Sequence, residues 1–139
     1  MSTFQWKELL TQWSKDIIES GEFDEQLSPE VVASNWLGFD EATEVQIVQA
    51  ELRLNTKLPR SYREFLKVSN GWRMTTPFIW SLWSVEKIEW LPTRNADLVD
   101  AWGGAEHEIS DEEYFIYGEE QDCIHIRGEY FSTALEISE

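Results

Sequence analysis

One stretch, residues 58–72, constrains the fold of this chain more tightly than any other; its sequence is LPRSYREFLKVSNGW. Pro59 suits a first helical turn, because a proline has no N–H and an N–H at that position has no partner within the helix. Four residues then follow at helical spacing and share one face: Tyr62, Phe65, Leu66 and Ser69. Asn70 and Gly71 stop the helix, because glycine adopts the left-handed conformation of a C-terminal cap without strain. The stretch predicts a short core helix followed by a tight turn.

An amphipathic pattern predicts an N-terminal helix over residues 3–20, ended by Gly21. Its large apolar residues recur at i, i+3, i+4, i+7 and i+11: Trp6, Leu9, Leu10, Trp13 and Ile17. Such a stripe usually faces the core of its own domain, and this is the interpretation we favour. The alternative is a docking helix for another chain, since two tryptophans are costly to leave in water.

Two further helices are predicted before residue 58. Ser28 and Pro29 are typical of an N-cap and a first-turn proline, and the short helix that they start ends at Gly38. Its apolar residues are Val31, Val32 and Trp36. Asp40 is the predicted cap of a longer helix from residue 41 to about residue 54. The apolar face of that helix is expected to consist of Val45, Val48 and Leu52, with Ile47 beside it.

After Gly71 the apolar period changes from helical to alternating, which is typical of strands. Residues 78–83 predict a strand with Trp80 and Trp83 on opposite faces, and one of these tryptophans could stay exposed as an anchor for a protein partner. A short helix is expected over residues 94–102. Further strands are predicted at 114–117, 123–127 and 130–137, joined by turns at 118–121 and 128–129. Helices precede strands without βαβ alternation, so the predicted class is α+β, with N-terminal helices packed on a mainly antiparallel sheet.

The composition limits the number of domains, the class of partner and the cellular compartment that we expect for this chain. Its 139 residues suffice for a single domain, 1–139, that buries its own core. The 27 acidic and 11 basic residues give a formal charge of −16, which argues against direct nucleic-acid binding and against anionic lipid surfaces. The single Cys123 excludes an intramolecular disulfide. Because the sequence has no secretion signal and no apolar run of roughly 18 residues, we expect a cytoplasmic protein that does not cross a membrane.

The acidic residues are concentrated in the last third of the chain. From residue 97 to residue 139 there are thirteen acidic residues and one basic residue, Arg127. Two acidic runs are the candidate contact residues for a basic partner: Asp111, Glu112, Glu113, Glu119, Glu120 and Asp122. The alternative is a solvated rim with no ligand. A calcium loop is not favoured, because the runs lack the alternating oxygen ligands and the central glycine of an EF-hand.

Enzyme signatures are scarce in this sequence. It contains no dinucleotide-binding, phosphate-loop, zinc-protease or serine-hydrolase motif. His107 and His125, with nearby acids, could in principle bind zinc, but they fall on separate predicted elements without a recurring ligand spacing. Cys123 follows Asp122, and an acidic neighbourhood raises a thiol pKa instead of activating the thiol. A metal-dependent enzyme is therefore a remote alternative, and no cofactor is expected.

The order and spacing of the residues around 58–72 resemble the SUKH superfamily. The matching residues are Ile47, Glu51, Leu54, Leu58, Pro59, Tyr62, Phe65, Leu66, Asn70 and Gly71. The segment from Trp80 to Trp90 is also similar; the resemblance is firm over residues 36–90 and looser over 91–139. It implies an α+β fold with helices against a bent antiparallel sheet, and no enzymatic activity. Members usually have further strands after the position of residue 137, so the chain is either shortened or has a smaller sheet.

This superfamily includes bacterial immunity proteins and fungal regulators of cell-wall assembly. For a bacterial member the resemblance implies an immunity protein that binds and neutralises a secreted toxin, often a nuclease. The acidic segment suits this role, because dense carboxylates can occupy the basic groove of a nuclease in place of phosphates. The expected partner is thus a basic protein, a cognate toxin. The alternative is a regulatory scaffold that binds cellular proteins. Since an unpaired last strand invites pairing, the chain is expected to be a monomer or a homodimer.

Overall fold

The computed structural model describes residues 4–74, 81–102, 109–121 and 127–138. They form two compact units: a first unit of the residues up to Ile88 together with 137 and 138, and a second unit from Glu89 to Glu136. The first unit contains the helices α1 (Trp6–Ser20), α2 (Pro29–Ser34), α3 (Glu44–Leu54) and α4 (Arg60–Leu66). The second contains β1 (Glu89–Trp90), α5 (Leu91–Arg94), α6 (Ala96–Trp102), α7 (Asp111–Tyr114), β2 (Leu135–Glu136) and 3-10 turns at Gly118–Glu120 and Gly128–Thr133. No helix among the described residues is both long and apolar enough to cross a membrane.

Helix α1 belongs to the core of the first unit. Gly21 ends it, as predicted, and takes the left-handed conformation. Leu10 is buried, the ring of Trp13 lies 6.0 Å from that of Trp72, and the Ser14 hydroxyl accepts a hydrogen bond from the backbone N–H of Leu37. These contacts confirm the core interpretation over the docking alternative. The buried face of α1 nevertheless differs from the predicted apolar stripe. Leu9 is 45% exposed, and Ser14 is buried instead.

The predicted start of α2 is confirmed, whereas its end and the start of α3 differ. The Ser28 hydroxyl accepts a hydrogen bond from the N–H of Val31, and Pro29 opens the helix. The helix ends at Asn35, which takes the left-handed conformation itself, so Gly38 is not the breaker. Helix α3 begins at Glu44 because Thr43 and Gln46 form a reciprocal capping box, which replaces the predicted cap at Asp40.

The apolar face predicted for α3 is wrong. Val45 and Leu52 are 65% and 76% exposed, and the buried residues of the helix are Ile47, Ala50, Glu51 and Leu54. Glu51 explains the difference, because its carboxylate accepts hydrogen bonds from the backbone N–H of Leu58 at 2.7 Å and from Arg63 at 3.4 Å. A buried carboxylate with two donors can occupy a core position that a hydrophobic pattern assigns to an apolar side chain.

Helix α4 is shorter than predicted. Pro59 is its N-cap and Lys67 its C-cap, so the helix ends before Asn70. Phe65, Leu66 and Ser69 are buried, as expected for its core face. Gly71 has a φ of +107°, and a Cβ there would lie 2.8 Å from the carbonyl oxygen of Leu82. Glycine is therefore required for a close approach of two backbone segments, and not for a helix cap.

The described sheet structure is small and antiparallel. In the first unit, single antiparallel bridges join Gly38 to Trp72, Trp72 to Leu82, and Leu82 to Ser138. In the second unit, β1 pairs with β2, with Glu89 opposite Glu136 and Trp90 opposite Leu135. The class is mixed α+β, as expected, but the sheet is a minor part of it.

Two of the predicted strands are replaced by helical turns. The Ser110 hydroxyl caps α7 by accepting a hydrogen bond from the N–H of Glu113. The three acidic residues in the first turn of α7 interact favourably with the positive N-terminal end of the helix dipole. Residues 114–117 therefore do not form a strand, and of the predicted strand 130–137 only 135–136 is extended in β2. The helix predicted at 94–102 is confirmed over Ala96–Trp102 as α6, whereas Arg94 ends α5. Residues 78–80 and 123–126 of the other predicted strands lie outside the described residues.

Candidate functional site

The two predicted acidic runs lie on short helical elements of the second unit. The first turn of α7 carries Asp111, Glu112 and Glu113, and the following 3-10 turn carries Glu119 and Glu120. All five side chains are exposed. Asp122, the remaining predicted contact residue, lies outside the described residues. Five of the predicted carboxylates are thus exposed within one short segment.

Arg127 links this segment to the end of the second unit. Its Nη2 atom donates to the Asp111 carboxylate at 2.6 Å and to the carbonyl oxygen of Ile109 at 2.9 Å. Its Nη1 atom donates to the Tyr130 hydroxyl at 3.0 Å. The side chain of Arg127 is only 11% exposed, whereas that of Asp111 is 76% exposed. One guanidinium therefore holds an exposed carboxylate, a backbone carbonyl and a phenol in a fixed arrangement.

Aromatic rings surround the same guanidinium. Its Cζ atom lies 4.4 Å from the ring centre of Tyr114 and 5.6 Å from that of Tyr130, and Tyr114 packs edge-on against Phe115 and Tyr130. Phe115, Tyr117 and Tyr130 are nevertheless 55%, 71% and 48% exposed. We call the whole set the acidic–aromatic surface: Asp111, Glu112, Glu113, Phe115, Tyr117, Glu119, Glu120 and Tyr130.

The sequence interpretation missed the aromatic half of this surface. The sequence pattern predicts a strand over residues 114–117, in which the rings of Phe115 and Tyr117 would face the same side. Because Ser110 caps a helical turn instead, the residues after Tyr114 continue as a turn and both rings stay exposed. The available signal was the serine three residues before Glu113, which is a helix N-cap pattern.

The structure does not place an exposed anchor at Trp83. This residue is 6% exposed within the first unit, and the Lys87 ammonium lies 4.6 Å from its ring centre. Trp80, the other tryptophan considered for that role, lies outside the described residues. Trp83 is therefore a core residue, and it takes no part in the proposal below.

The residues of the family motif build the framework of the first unit. Leu58, Phe65 and Leu66 are buried. The Asn70 side chain accepts a hydrogen bond from the N–H of Val85 at 2.8 Å and donates one to Glu86 at 3.1 Å, which fixes the turn before Gly71. Pro59 caps α4, and the rings of Tyr62 and Phe65 stack at 6.2 Å.

The basic residues near the motif have internal partners. Glu44 accepts hydrogen bonds from Lys67 at 2.8 Å and from Arg63 at 2.5 Å, and these contacts lower its pKa from 4.5 to about 2. Arg53 donates to the backbone carbonyl oxygens of Val85 and Ile88, Arg60 pairs with Glu64, and Arg73 donates to the carbonyl oxygen of Gly38. These cations stabilise the first unit, which limits their use as a separate anion-binding surface.

The candidates for metal binding and nucleophilic chemistry fall outside the described residues. These candidates are His107, Cys123 and His125. Within the described ranges, no group of three His, Cys, Asp or Glu side chains could hold a metal ion.

Comparison with protein families gives one match. The family described as the SMI1 / KNR4 family (SUKH-1) matches residues 41–132, which is more than half of the chain. The matched range includes the framework residues of α3 and α4 and the whole acidic segment 111–120. No curated protein and no solved structure matches the chain. Because the family match covers residues 41–132, the chain belongs to the SMI1 / KNR4 family (SUKH-1).

Proposed function

We propose that this chain is a non-enzymatic immunity protein, which neutralises a basic secreted toxin of the nuclease type by binding it through the acidic–aromatic surface. Family membership supports a protein-binding role of the immunity or regulator type. The exposed aromatic rings beside five exposed carboxylates are the observation that carries the finer proposal.

Each half of the surface has its own energetic role. Exposed carboxylates on a protein of charge −16 attract a basic partner over long range and raise its association rate. Large aromatic side chains supply the area whose burial holds a complex together, and tyrosine is among the residues enriched at binding hot spots. Phe115 and Tyr117 are the most exposed rings of the surface, so they are the expected anchors.

The preorganisation of the surface favours tight binding. Arg127 contacts Tyr114, Tyr130 and Asp111 before any partner arrives. Side chains that are already held in place lose less conformational freedom when a complex forms. A nuclease groove, which is basic because it receives phosphates, offers the complementary charge.

The test uses the protein encoded by the neighbouring gene, since an immunity gene lies beside its toxin gene. The expected result is a stable complex and loss of toxin activity on mixing. The triple variant Glu112→Gln, Glu119→Gln, Glu120→Gln should bind with a several-fold lower association rate and a weaker dependence on salt. Phe115→Ala with Tyr117→Ala should mainly raise the dissociation rate, by about tenfold or more.

Matched controls test whether the effects are specific to the acidic–aromatic surface or follow from any loss of negative charge or of an exposed apolar side chain. Glu22→Gln, Asp24→Asn, Glu25→Gln makes the same change in net charge at three exposed positions of the first unit. Leu52→Ala removes an apolar side chain that is 76% exposed in α3. If the control triple weakens association as much as the test triple, the acidic–aromatic surface is not the contact. If the purified proteins neither bind nor inhibit, the immunity proposal is wrong.

The regulatory scaffold remains the competing function within the family. Steering by exposed carboxylates is screened when the Debye length falls from about 10 Å at 0.1 M salt to about 3 Å at 1 M. An association rate that falls steeply with salt supports the toxin proposal. A cellular partner whose association rate is insensitive to salt supports the scaffold.

A further inference from the structure

Helix α3 carries a second apolar face, separate from the one that packs on the core of the first unit. Val45, Val48 and Leu52 recur at i, i+3 and i+7, so they lie within about 60° of one another around the helix axis. Val45 and Leu52 are mostly exposed, and Val48 is half-buried. We call these three residues the α3 stripe. None of them belongs to the acidic–aromatic surface, so the stripe poses a question separate from the proposed function.

Packing within the chain does not account for the α3 stripe. The core already has its own contacts with α3 through Ile47, Ala50 and Leu54, which are buried. A surface helix usually has one apolar face and a polar face opposite to it. Single exposed apolar residues are normal, but the stripe repeats at helical spacing along the whole helix, and no described segment covers Val45 or Leu52. A periodic apolar face in contact with water favours binding to a second molecule.

The charges at the two ends of α3 are opposite. Glu41 lies two residues before the N-cap Thr43, and Lys57 lies two residues after the C-cap Asn55. Both side chains are exposed, and neither forms an ion pair with a described residue. Two antiparallel copies of the helix would therefore bring Glu41 of each copy close to Lys57 of the other. Their helix dipoles would also oppose each other, which is the favourable arrangement.

The same antiparallel arrangement also matches the apolar residues. When Val45 lies opposite Leu52 of the second copy, Val48 lies opposite Gln49, and the two-fold axis passes close to the middle of Glu44–Leu54. A parallel arrangement would instead bring like charges together at both ends. The α3 stripe is thus complementary to a second copy of itself in one direction only.

We propose that a second copy of this chain binds the α3 stripe in an antiparallel contact between the two α3 helices, related by a two-fold axis near Val48 and Gln49. Burial of Val45 and Leu52 supplies the attraction. Ion pairs between Glu41 and Lys57 set the direction, and the symmetry forms each of these contacts twice.

The size of the contact predicts a weak dimer. Helix α3 has 11 residues and is thus about 16 Å long, so its stripe covers much less than the roughly 800 Å² per partner of a standard interface. The formal charge of −16 on each copy also opposes association. At 0.15 M salt the Debye length is about 8 Å, which screens the acidic residues that lie farther from the contact. We expect a dissociation constant between about 10 µM and 1 mM under these conditions.

Sedimentation equilibrium of the full chain at 0.15 M salt tests the contact. The mean mass should rise from one chain towards two as the protein concentration approaches about 1 mM. Leu52→Glu should weaken this association at least tenfold, because the substitution enters the contact twice. The matched control is Leu9→Glu, at a 45% exposed position of α1 outside the stripe, which should associate like the wild type. Circular dichroism confirms that both variants are folded.

Three results would overturn the proposal. They are a wild type that stays monomeric at about 1 mM, an equal loss of association in Leu52→Glu and Leu9→Glu, and a Leu52→Glu variant that still dimerises but no longer binds the toxin. The last result would assign the α3 stripe to a contact with a different protein.

Charge reversal tests the antiparallel direction. Glu41→Lys alone and Lys57→Glu alone each place two like-charged pairs in the dimer, so each should weaken it about three- to tenfold. An equimolar mixture of the two variants should regain the association of the wild type, because both pairs in the mixed dimer are again opposite in charge. Single variants that associate as strongly as the wild type, or a mixture no stronger than its components, would contradict the proposed arrangement.

Discussion

Arg127 and Asp111 form a hydrogen-bonded ion pair, with 2.6 Å between Nη2 and Oδ1, in which the cation is largely buried and the anion is exposed. The pair joins the first turn of α7 to the 3-10 segment that carries Tyr130. The same guanidinium contacts the rings of Tyr114 and Tyr130. The shape of the acidic–aromatic surface therefore depends on one basic residue in an acidic segment.

Substitution of Arg127 should weaken binding of the basic partner, although Arg127 carries the same charge sign as that partner. Arg127→Ala removes the support of Asp111 and two aromatic rings, so we expect the dissociation rate of the complex to rise about tenfold. Arg127→Lys keeps the charge but lacks the planar fork, and should give an intermediate value. Surface plasmon resonance at two salt concentrations measures both variants. An Arg127→Ala variant with unchanged dissociation would show that the surface does not need this residue.

The two faces of α3 offer a direct test of the fold. Leu54 is 3% exposed and Leu52 is 76% exposed, although both lie in one helix. Leu54→Ala should lower the free energy of unfolding by about 2–5 kcal/mol, because it leaves a cavity in the core. Leu52→Ala should change it by no more than about 0.5 kcal/mol. Urea denaturation followed by tryptophan fluorescence measures both; a reversed order would restore the apolar face that the sequence pattern indicated.

Some helix starts could be predicted from the sequence because a local cap decides them, although the caps at Thr43 and Ser110 were missed. Ser28 with Pro29 is such a case, because the hydroxyl acceptor and the N-terminal proline act within one turn. The core face of α4 was also predictable, since Phe65 and Leu66 follow the helical period and are buried. Local chemistry and pattern agree in both places.

Two features of the structure do not follow from the hydrophobic pattern of the sequence. Glu51 is buried because Leu58 and Arg63 supply donors, and neither partner is visible in the helical period of α3. The exposure of Phe115 and Tyr117 follows from a helical turn that competes with a strand. The acidic half of the candidate site could thus be proposed from charge density, whereas its aromatic half depended on identifying Ser110 as the cap of a helical turn in place of a strand over residues 114–117.

Tyr62 should make the first unit sensitive to alkaline pH. Its pKa is raised from 10 to about 12 by burial, so the unfolded chain loses this proton more readily than the folded chain. The stabilisation is fully present below about pH 10 and is lost as the pH rises through 12. Titration of phenolate absorbance should show a tyrosine that ionises near pH 12, and Tyr62→Phe should lose this transition while its melting temperature depends less on pH above 10. If the variant retains the transition, another tyrosine is responsible.

Glu44 should contribute to the acid sensitivity of the protein. Hydrogen bonds from Lys67 and then from Arg63 lower its pKa from 4.5 to about 2, so the unfolded chain binds this proton more readily. The stabilisation is present above about pH 4.5 and is lost as the pH falls towards 2. Glu44→Gln should therefore be less stable than the wild type at neutral pH and should lose less stability between pH 4.5 and 2, measured by thermal melts across this range. Glu41→Gln, at an exposed position without a described ion pair, is the matched control and should follow the wild-type profile. A Glu44→Gln profile parallel to that of the wild type would contradict the assignment.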